Sequence, residues 1–280
     1  MSKYHLKSTF YLLAALSAAS AVSATDSKVA TIALEGAYKP WNLTNPDGTL
    51  GGFEPALAKV LCERAKLECK LITVDWDGMI PALNAGKFDI IMDAMSITDK
   101  RKEVIDFSSA YAETRSRFVA SASAIEDFNQ AGDGQLTLNT PGKAGTELER
   151  MRAAFKGKII GIQAATHYGE FVQANFGDIC DIREYKKGQE RDIDLQNGRI
   201  DLIIDNTVYL TTALEAAGGS LAYVGPTITG PIWGEGVGLG LRKSDAELRN
   251  KINAAIKSAH DDGTITKLSL EFLKTDVTPR

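Results

Sequence analysis

The chain has 280 residues, of which 44% are hydrophobic and 24% charged, and its formal net charge is -4. That is ordinary globular composition, with apolar content for one large core or two smaller ones. The mild acidity and the absence of any long basic run exclude the concentrated positive surface that nucleic acid requires as a partner.

The first residues read as a processing signal rather than as structure. Lys3, His5 and Lys7 make a positive start, "FYLLAALSAASAV" follows as an apolar stretch, and Val22-Ser23-Ala24 supplies the small residues a signal peptidase reads. The expectation is a signal peptide over residues 1–24, cleaved after Ala24. The apolar stretch is shorter than the roughly 20 residues of a membrane span and is broken by serines. The mature chain is therefore expected to be exported and soluble.

Strands and helices then alternate. "KVATIALEG" reads as a strand, and a loop follows with turn chemistry at Asn45-Pro46-Asp47-Gly48. "EPALAKVLCERA" is an amphipathic helix with Pro55 in its first turn. "CKLITVD" is a strand, "WDGMIPALNAG" a helix closed by Gly86, and "FDIIMDAM" a strand. This β-α-β-α-β order predicts an α/β fold with a parallel, doubly wound sheet.

Residues 125–157 fit least: a polar, turn-rich stretch runs into the helical "TELERMRAAF", together read as a surface excursion. The strand–helix grammar then restarts with "GKIIGIQAA", "THYGEFVQANF", "ICDIREY", "GQERDIDLQNG" and "IDLIIDN". The phrase "LNAGKFDIIMD" is echoed by "LQNGRIDLIID". Both are a helix end, a glycine, a basic residue, an apolar residue and Asp, then a buried strand ending in a second acid. Two lobes of similar construction are expected. Near the end, "GVGLGLRK" alternates like a strand, so its glycines are not a dinucleotide loop, which must open a helix. Residues 244–263 read as a helix with Ser244 as N-cap and Glu247 completing a capping box, and "TITKLSLEFL" as the last helix.

In an exported chain, Cys62 and Cys69 read as a disulfide. On an unbroken helix they would stand about 10 Å apart, beyond the roughly 7 Å that a disulfide spans. The bridge therefore requires the helix to end near Arg64 and the chain to turn back. Cys180 reads as a free, buried small hydrophobe. No metal-ligand spacing is present, and no metal or cofactor is expected.

Ligands of open α/β sheets bind beyond the carboxyl ends of the strands. Glu35, Tyr38 and Trp41 follow the first strand, and Asp75 and Trp76 the second. Asp93, Ala94, Met95 and Ser96 follow the third, with Arg101 one turn on. Gln163, Thr166 and Tyr168 hold the matching place in the second half, as do Asp205 and Asn206. Asp205 should point away from its neighbour Asn206, because strand residues alternate. Acids, hydroxyls, amides, aromatics and one arginine suit a zwitterion gripped through its carboxylate. There is no G-x-S-x-G elbow or H-E-x-x-H, and His167 and His260 have no evident nucleophile, so an enzyme is not expected.

On "SITDKR", "GFEPALAKVLCERAKLEC", "WDGMIPALNAGKFDIIM", "GRIDLIID" and the final "GVGLGLRKSDAELRNKINAAIKSAHDDGTITKL", the chain resembles the periplasmic polar amino-acid-binding proteins of ABC importers. The lysine/arginine/ornithine-, histidine- and especially octopine/nopaline-binding members are nearest in pattern. The resemblance covers nearly all the mature chain. It implies a two-lobe periplasmic binding protein of type II, each lobe a doubly wound sheet, joined by a two-strand hinge. Lobe 1 would comprise residues 25–115 and 222–280, and lobe 2 residues 116–221. It also implies a bridged Cys62–Cys69, a periplasmic location, a monomer and a permease partner in the inner membrane.

Residue by residue, the resemblance assigns Arg101 to the ligand α-carboxylate, Ser96 to the region of the α-amino group and Thr166 to the carboxylate from the second lobe. Glu35 and Tyr38 would contact the ligand side chain and Trp76 would stack on it. Asn206 stands where the basic amino-acid binders carry an aspartate, as in opine binders, and the 125–157 excursion also resembles the opine group. Asp93 replaces a small residue. The implied ligand is an opine-like or cationic amino acid. The alternatives are a cyclohexadienyl dehydratase-like enzyme on the same fold, with Glu35 and Asp93 as its acid–base pair, and a sensor's ligand domain.

Overall fold

The computed structural model describes residue 1, residues 29–139 and residues 145–280. The expected signal peptide and its cleavage point lie outside them.

The first strand, β1 (Ala30–Leu34), leads through an antiparallel ribbon of β2 (Ala37–Tyr38), β3 (Asn42–Thr44) and β4 (Leu50–Gly51) into α1 (Phe53–Ala65). Apolar spacing along α1 puts Phe53, Leu57, Ala58, Leu61 and Cys62 on its buried face. Lys66 ends the helix in a left-handed conformation, φ 54°, and the Leu67 amide closes on the Cys62 carbonyl at 2.9 Å. That reversal is what the disulfide needs: the chain returns as β5 (Cys69–Thr73), with the Cα atoms of Cys62 and Cys69 6.2 Å apart and the sulfurs bonded.

A 3-10 turn, Trp76–Gly78, runs into α2 (Met79–Asn84), then β6 (Ile90–Ile91), α3 (Asp99–Lys102) and β7 (Asp106–Phe107). The chain crosses to the second lobe and forms β8 (Ser116–Ser121), a 3-10 segment Ala122–Ala131, β9 (Gln135–Thr137) and α4 (Thr146–Phe155). Next come β10 (Ile159–Gln163), α5 (His167–Phe176), β11 (Asp181–Tyr185), α6 (Gly188–Gln196), β12 (Leu202–Asn206), α7 (Thr207–Ala216) and β13 (Leu221–Thr229). It returns through the 3-10 turn Pro231–Trp233 to β14 (Gly240–Leu241), α8 (Ala246–Asp261) and α9 (Thr264–Phe272).

The first lobe holds the sheet β5-β1-β6-β14-β7 and the second the sheet β11-β10-β12-β8-β13-β9. In both, the three leading strands are parallel and the strands of the crossing segments pair antiparallel to them. Strand neighbours face opposite sides. Ile32 and Ile90 therefore pack with α1 and α8, while Ala33 and Ile91 pack with Met79 and Leu83 of α2. The second sheet is likewise covered on both faces.

The sequence echo is a geometric echo. Gly86 and Gly198 leave their helices at φ 72° and 66°, a conformation that favours glycine. The next acids, Asp89 and Asp201, accept the amides of Thr31 and Ile159 at 3.0 and 2.7 Å, each at the start of the adjacent central strand. The second acids, Asp93 and Asp205, then stand at corresponding strand ends.

The crossing segments run side by side: Tyr111 donates to the Val237 carbonyl and Val237 to the Ala112 carbonyl, both at 2.8 Å. On the return segment Gly234 holds φ 89°, where a Cβ would stand 2.2 Å from the Ile97 carbonyl oxygen. Only glycine fits.

Several expectations need correction. The return does not begin at residue 222, because β13 pairs with β8 and β9 and belongs to the second sheet through Thr229. "GVGLGLRK" is strand only at Gly240–Leu241, with Val237 in an isolated bridge. Ser244 does not cap α8. Asp245 occupies the N-cap position, and Arg242 holds its carboxylate at 2.7 Å. Cys180 is half-buried, its thiol donating to the Phe155 carbonyl.

The described residues of 125–157 do not form a surface excursion. Phe128, Leu136, Leu148, Met151 and Phe155 are buried in the second lobe's core, and β9 completes its sheet. Polar turns had masked apolar residues that only tertiary contact brings together. Phe155 touches Phe118, Phe128 and Phe176 at centroid distances of 4.9, 5.9 and 5.3 Å. Phe155→Ala should therefore cost about 3–5 kcal/mol in urea unfolding. Val104→Ala, at a half-exposed position, should stay within about 0.5 kcal/mol.

Candidate functional site

The strand ends of both lobes meet at one cleft. Arg101 is carried there by α3: the Thr98 hydroxyl caps the helix by accepting the Arg101 amide at 3.4 Å. The side chain turns back, donates to the Ser96 carbonyl at 3.1 Å and reaches across to the Ala165 carbonyl at 3.4 Å. Its guanidinium lies 5.1 Å from the centre of the Trp76 ring. Arg101 is 8% exposed, yet no carboxylate pairs with it among the described residues. Burial lowers its pKa to about 10. The Trp76 indole N–H beside it is also buried without an acceptor. Two donors thus face the cleft with nothing negative to receive them.

Acids collect elsewhere in the cleft. Asn42 donates through one amide nitrogen to Asp93 at 2.6 Å and to Glu54 at 2.7 Å. Asp93 also accepts the Glu35 amide at 3.1 Å, and Glu54 accepts the Ala94 amide at 2.7 Å and the Tyr111 hydroxyl. Ala94 holds a left-handed φ of 45°, a conformation uncommon for a residue with a Cβ. Burial raises the pKa of both carboxyls, and Glu54 and Glu35 push Asp93 further. Glu35 is itself pushed up to about 6 by burial, against a hydrogen bond from Gln163 at 3.1 Å.

From the second lobe, Thr166 caps α5, accepting the Gly169 amide and donating to the Gln163 carbonyl. His167 and Tyr168 follow, their rings 4.1 Å apart. Burial and the Arg101 charge hold the His167 imidazole neutral. Asp205 accepts Arg191 at 3.0 Å and the Tyr38 hydroxyl, and Tyr38 stacks on Tyr209 at 4.8 Å.

Of the residues expected at the site, Glu35, Tyr38, Trp76, Asp93, Ala94, Arg101, Gln163, Thr166 and Tyr168 line this cavity. Trp41, Met95, Ser96 and Asn206 do not. Trp41 is fully buried in the first lobe's core. Met95 packs with Met79 and Ile97, since alternation after Ala94 turns it inward. Ser96 contributes its carbonyl to Arg101 and lines a groove behind the crossing segments. Asn206 caps α7 and accepts the Trp41 indole at 3.3 Å.

Asp205, expected to point away, lines the cavity, as does His167. Asp205 and Asn206 do not diverge: both meet the Tyr38 hydroxyl, Asp205 accepting from it and Asn206 donating to it. The echo with Asp93 carried the signal for Asp205. Asn42, Glu54 and Tyr111 were not anticipated, because their link to Asp93 crosses long sequence separations.

The lobes are closed over the cavity. Glu35–Gln163, Tyr38–Asp205 and Arg101–Ala165 bridge them, with ion pairs Lys100–Glu170 and Lys186–Asp75 at 2.6 and 2.7 Å on the rim. The cavity's volume is about 30 Å³, space for water rather than for an amino acid. A ligand must therefore part the lobes. The groove behind the crossing segments is larger, about 820 Å³, but none of the buried, unmatched charges points there.

Residues 30–275 match the model of the bacterial extracellular solute-binding proteins, family 3. The chain is 40% identical to the octopine-binding periplasmic protein of Rhizobium meliloti, covering 96% of this chain and 98% of that one. It is 33% identical to the L-arginine-binding protein of Pseudomonas aeruginosa, over 94% and 95%. Among solved structures it is similar to a periplasmic His/Glu/Gln/Arg/opine family-binding protein from Silicibacter pomeroyi in complex with lysine. The TM-score there is 0.72 at 33% identity, over 90% of this chain and 100% of that one.

Glu35 offers a test of the site's electrostatics. Its folded value of about 6 exceeds the ordinary 4.5, so the folded state holds a proton between those values that the unfolded chain has released. Stability then falls as pH rises through that window, by at most about 2 kcal/mol. Glu35→Gln should be more stable than wild type near pH 7.5 by about 1–2 kcal/mol in urea unfolding, and should lose that advantage near pH 4.5. An advantage independent of pH would refute burial as the cause.

Proposed function

This chain belongs to the bacterial extracellular solute-binding proteins of family 3, and from that premise we propose that it captures an opine-like or cationic amino acid between its lobes. It acts in the periplasm, as a monomer, and delivers the ligand to the membrane permease of an ABC importer. The observation that carries the ligand class is the buried, unpaired guanidinium of Arg101 beside the unpartnered Trp76 indole. A carboxylate there takes a bidentate hold worth roughly 1.5–3 kcal/mol. Thr166 at the start of α5 adds the positive end of a helix dipole.

Glu35 and Asp93 receive the positive part of the ligand, and Trp76 covers its aliphatic length. Octopine and L-arginine are named for two relatives, and both carry a carboxylate and a guanidinium. Binding substitutes ligand contacts for the direct bridges between the lobes, so the same hinge serves capture and release. The named relatives are binding proteins rather than enzymes, and Glu35 and Asp93 act here as receptors of charge. Incubation with prephenate or arogenate, followed by absorbance, should show no turnover.

A thermal-shift screen over amino acids and opines should single out guanidinium- or ammonium-bearing members, since a ligand at about a hundred times its Kd adds roughly 2.7 kcal/mol. Arg101→Ala should weaken the best of them by at least about tenfold in calorimetry. Unchanged affinity would remove Arg101 from the site.

A further inference from the structure

Asp93 and Asp205 end equivalent strands and face the same cavity from opposite lobes, but their charges are handled differently. Asp205 is neutralised: Arg191, fully buried on α6, holds it at 3.0 Å. Arg191 lies four residues before Leu195, and the corresponding residue before Leu83 in the first lobe is Met79. Met79 packs into the core, so the lobe that carries Asp93 has no such cation.

What Asp93 has instead is a second acid. Asn42 bridges Asp93 and Glu54 through one nitrogen, and both carboxyls are buried, at 3% and 0% exposure. Neither forms an ion pair with any lysine, arginine or histidine among the described residues. Two carboxyls held by one nitrogen, out of water and without a cation, resist being charged together. Of their oxygens, Asp93 Oδ2 has no partner among the described residues, and Asp93 lines the cavity whereas Glu54 does not.

The groups that face this pair are known from each side: Glu35 after β1, Tyr38 on β2, Tyr111 on the crossing segment, and across the cleft Asp205, His167 and Tyr168. Arg101 and Asp93 line the same cavity without pairing: the guanidinium donates to the Ser96 and Ala165 carbonyls, and Asp93 accepts the Asn42 side-chain amide and the Glu35 backbone amide.

Resting on the solute-binding reading above, we propose that Asp93 selects a ligand whose far end is cationic, and that the Asp93–Asn42–Glu54 cluster releases a proton to solvent as that cation arrives. The cation replaces the proton as the group that lets both carboxylates persist in the dry site. A neutral isostere of the same length cannot drive that exchange.

The probes are L-arginine and L-citrulline, which differ by a guanidinium against a urea. Calorimetry is done near pH 7.5, where Glu35 with its value of about 6 is already ionised, in two buffers of different ionisation enthalpy. Wild type should prefer arginine by at least about tenfold and release roughly 0.5–1 proton per arginine, with near none for citrulline. Asp93→Asn, which keeps the shape and the Asn42 contact region, should cut the arginine-to-citrulline ratio by about tenfold and abolish the proton release. Asp93→Ser serves as a second variant if the amide misfolds.

An unchanged ratio and unchanged release in both variants would overturn the inference while leaving the binding reading intact. Failure of wild type to bind either probe or any opine would overturn both. Loss of both probes in Arg101→Ala but not in Asp93→Asn would support the division of the cavity into an anion end and a cation end.

Discussion

A guanidinium buried without a counter-charge is the constraint on which the cleft depends. Removing a cation from water costs several kcal/mol unless a partner repays it, and Arg101 has only two carbonyls, one of them at 3.4 Å. Its neighbour Trp76 leaves an indole N–H unmet as well. A protein interior normally eliminates such groups. Their persistence together, near the start of the second lobe's α5, is what the proposed capture of a carboxylate explains. The same cleft shows the complement at Asp93, an acid that forms no ion pair among the described residues. Stability has been given up on both sides in a pattern that fits one small dipolar guest.

The fold produces this arrangement by using one construction twice. In each lobe a helix closes on glycine, an acid fastens the start of the neighbouring strand, and a second acid emerges at the strand's carboxyl end. Bringing two such sheets face to face concentrates polar groups where strands end and side chains are no longer committed to the core. The two crossing segments, hydrogen-bonded to each other, are the only covalent links between the lobes among the described residues. Direct bridges such as Glu35–Gln163 therefore occupy positions that a ligand would take over. The repeat is not symmetric where chemistry matters. Arg191 supports Asp205 in one lobe, and Met79 fills the same place in the other.

The fates of individual residues show where sequence reasoning reaches. Trp76 lies within one turn of the end of β5, so local geometry puts it at the cleft, whereas Arg101, ten residues beyond β6, is carried there by α3. The Cys62–Cys69 bridge depended on a helix end that Lys66 supplies within the same short stretch. Met95 and Ser96 were misplaced because the left-handed turn at Ala94 resets which way the following side chains face. Asp205 was misjudged because alternation does not hold at the end of β12, where it and Asn206 both meet the Tyr38 hydroxyl.

What the sequence determined by itself was therefore local and periodic: the alternation of strand and helix, the duplicated junctions, the turn that permits the disulfide, and the set of residues at strand ends. The tertiary structure alone decided which of those residues touch. It assigned Phe155 and its neighbours to a core rather than a surface loop, and it brought Asn42, Glu54 and Tyr111 behind Asp93 from positions 12 to 57 residues apart. The reason is physical. Periodicity and turn chemistry act over a few residues and leave marks in the chain, whereas burial and charge pairing depend on distances in space that no short stretch of sequence encodes.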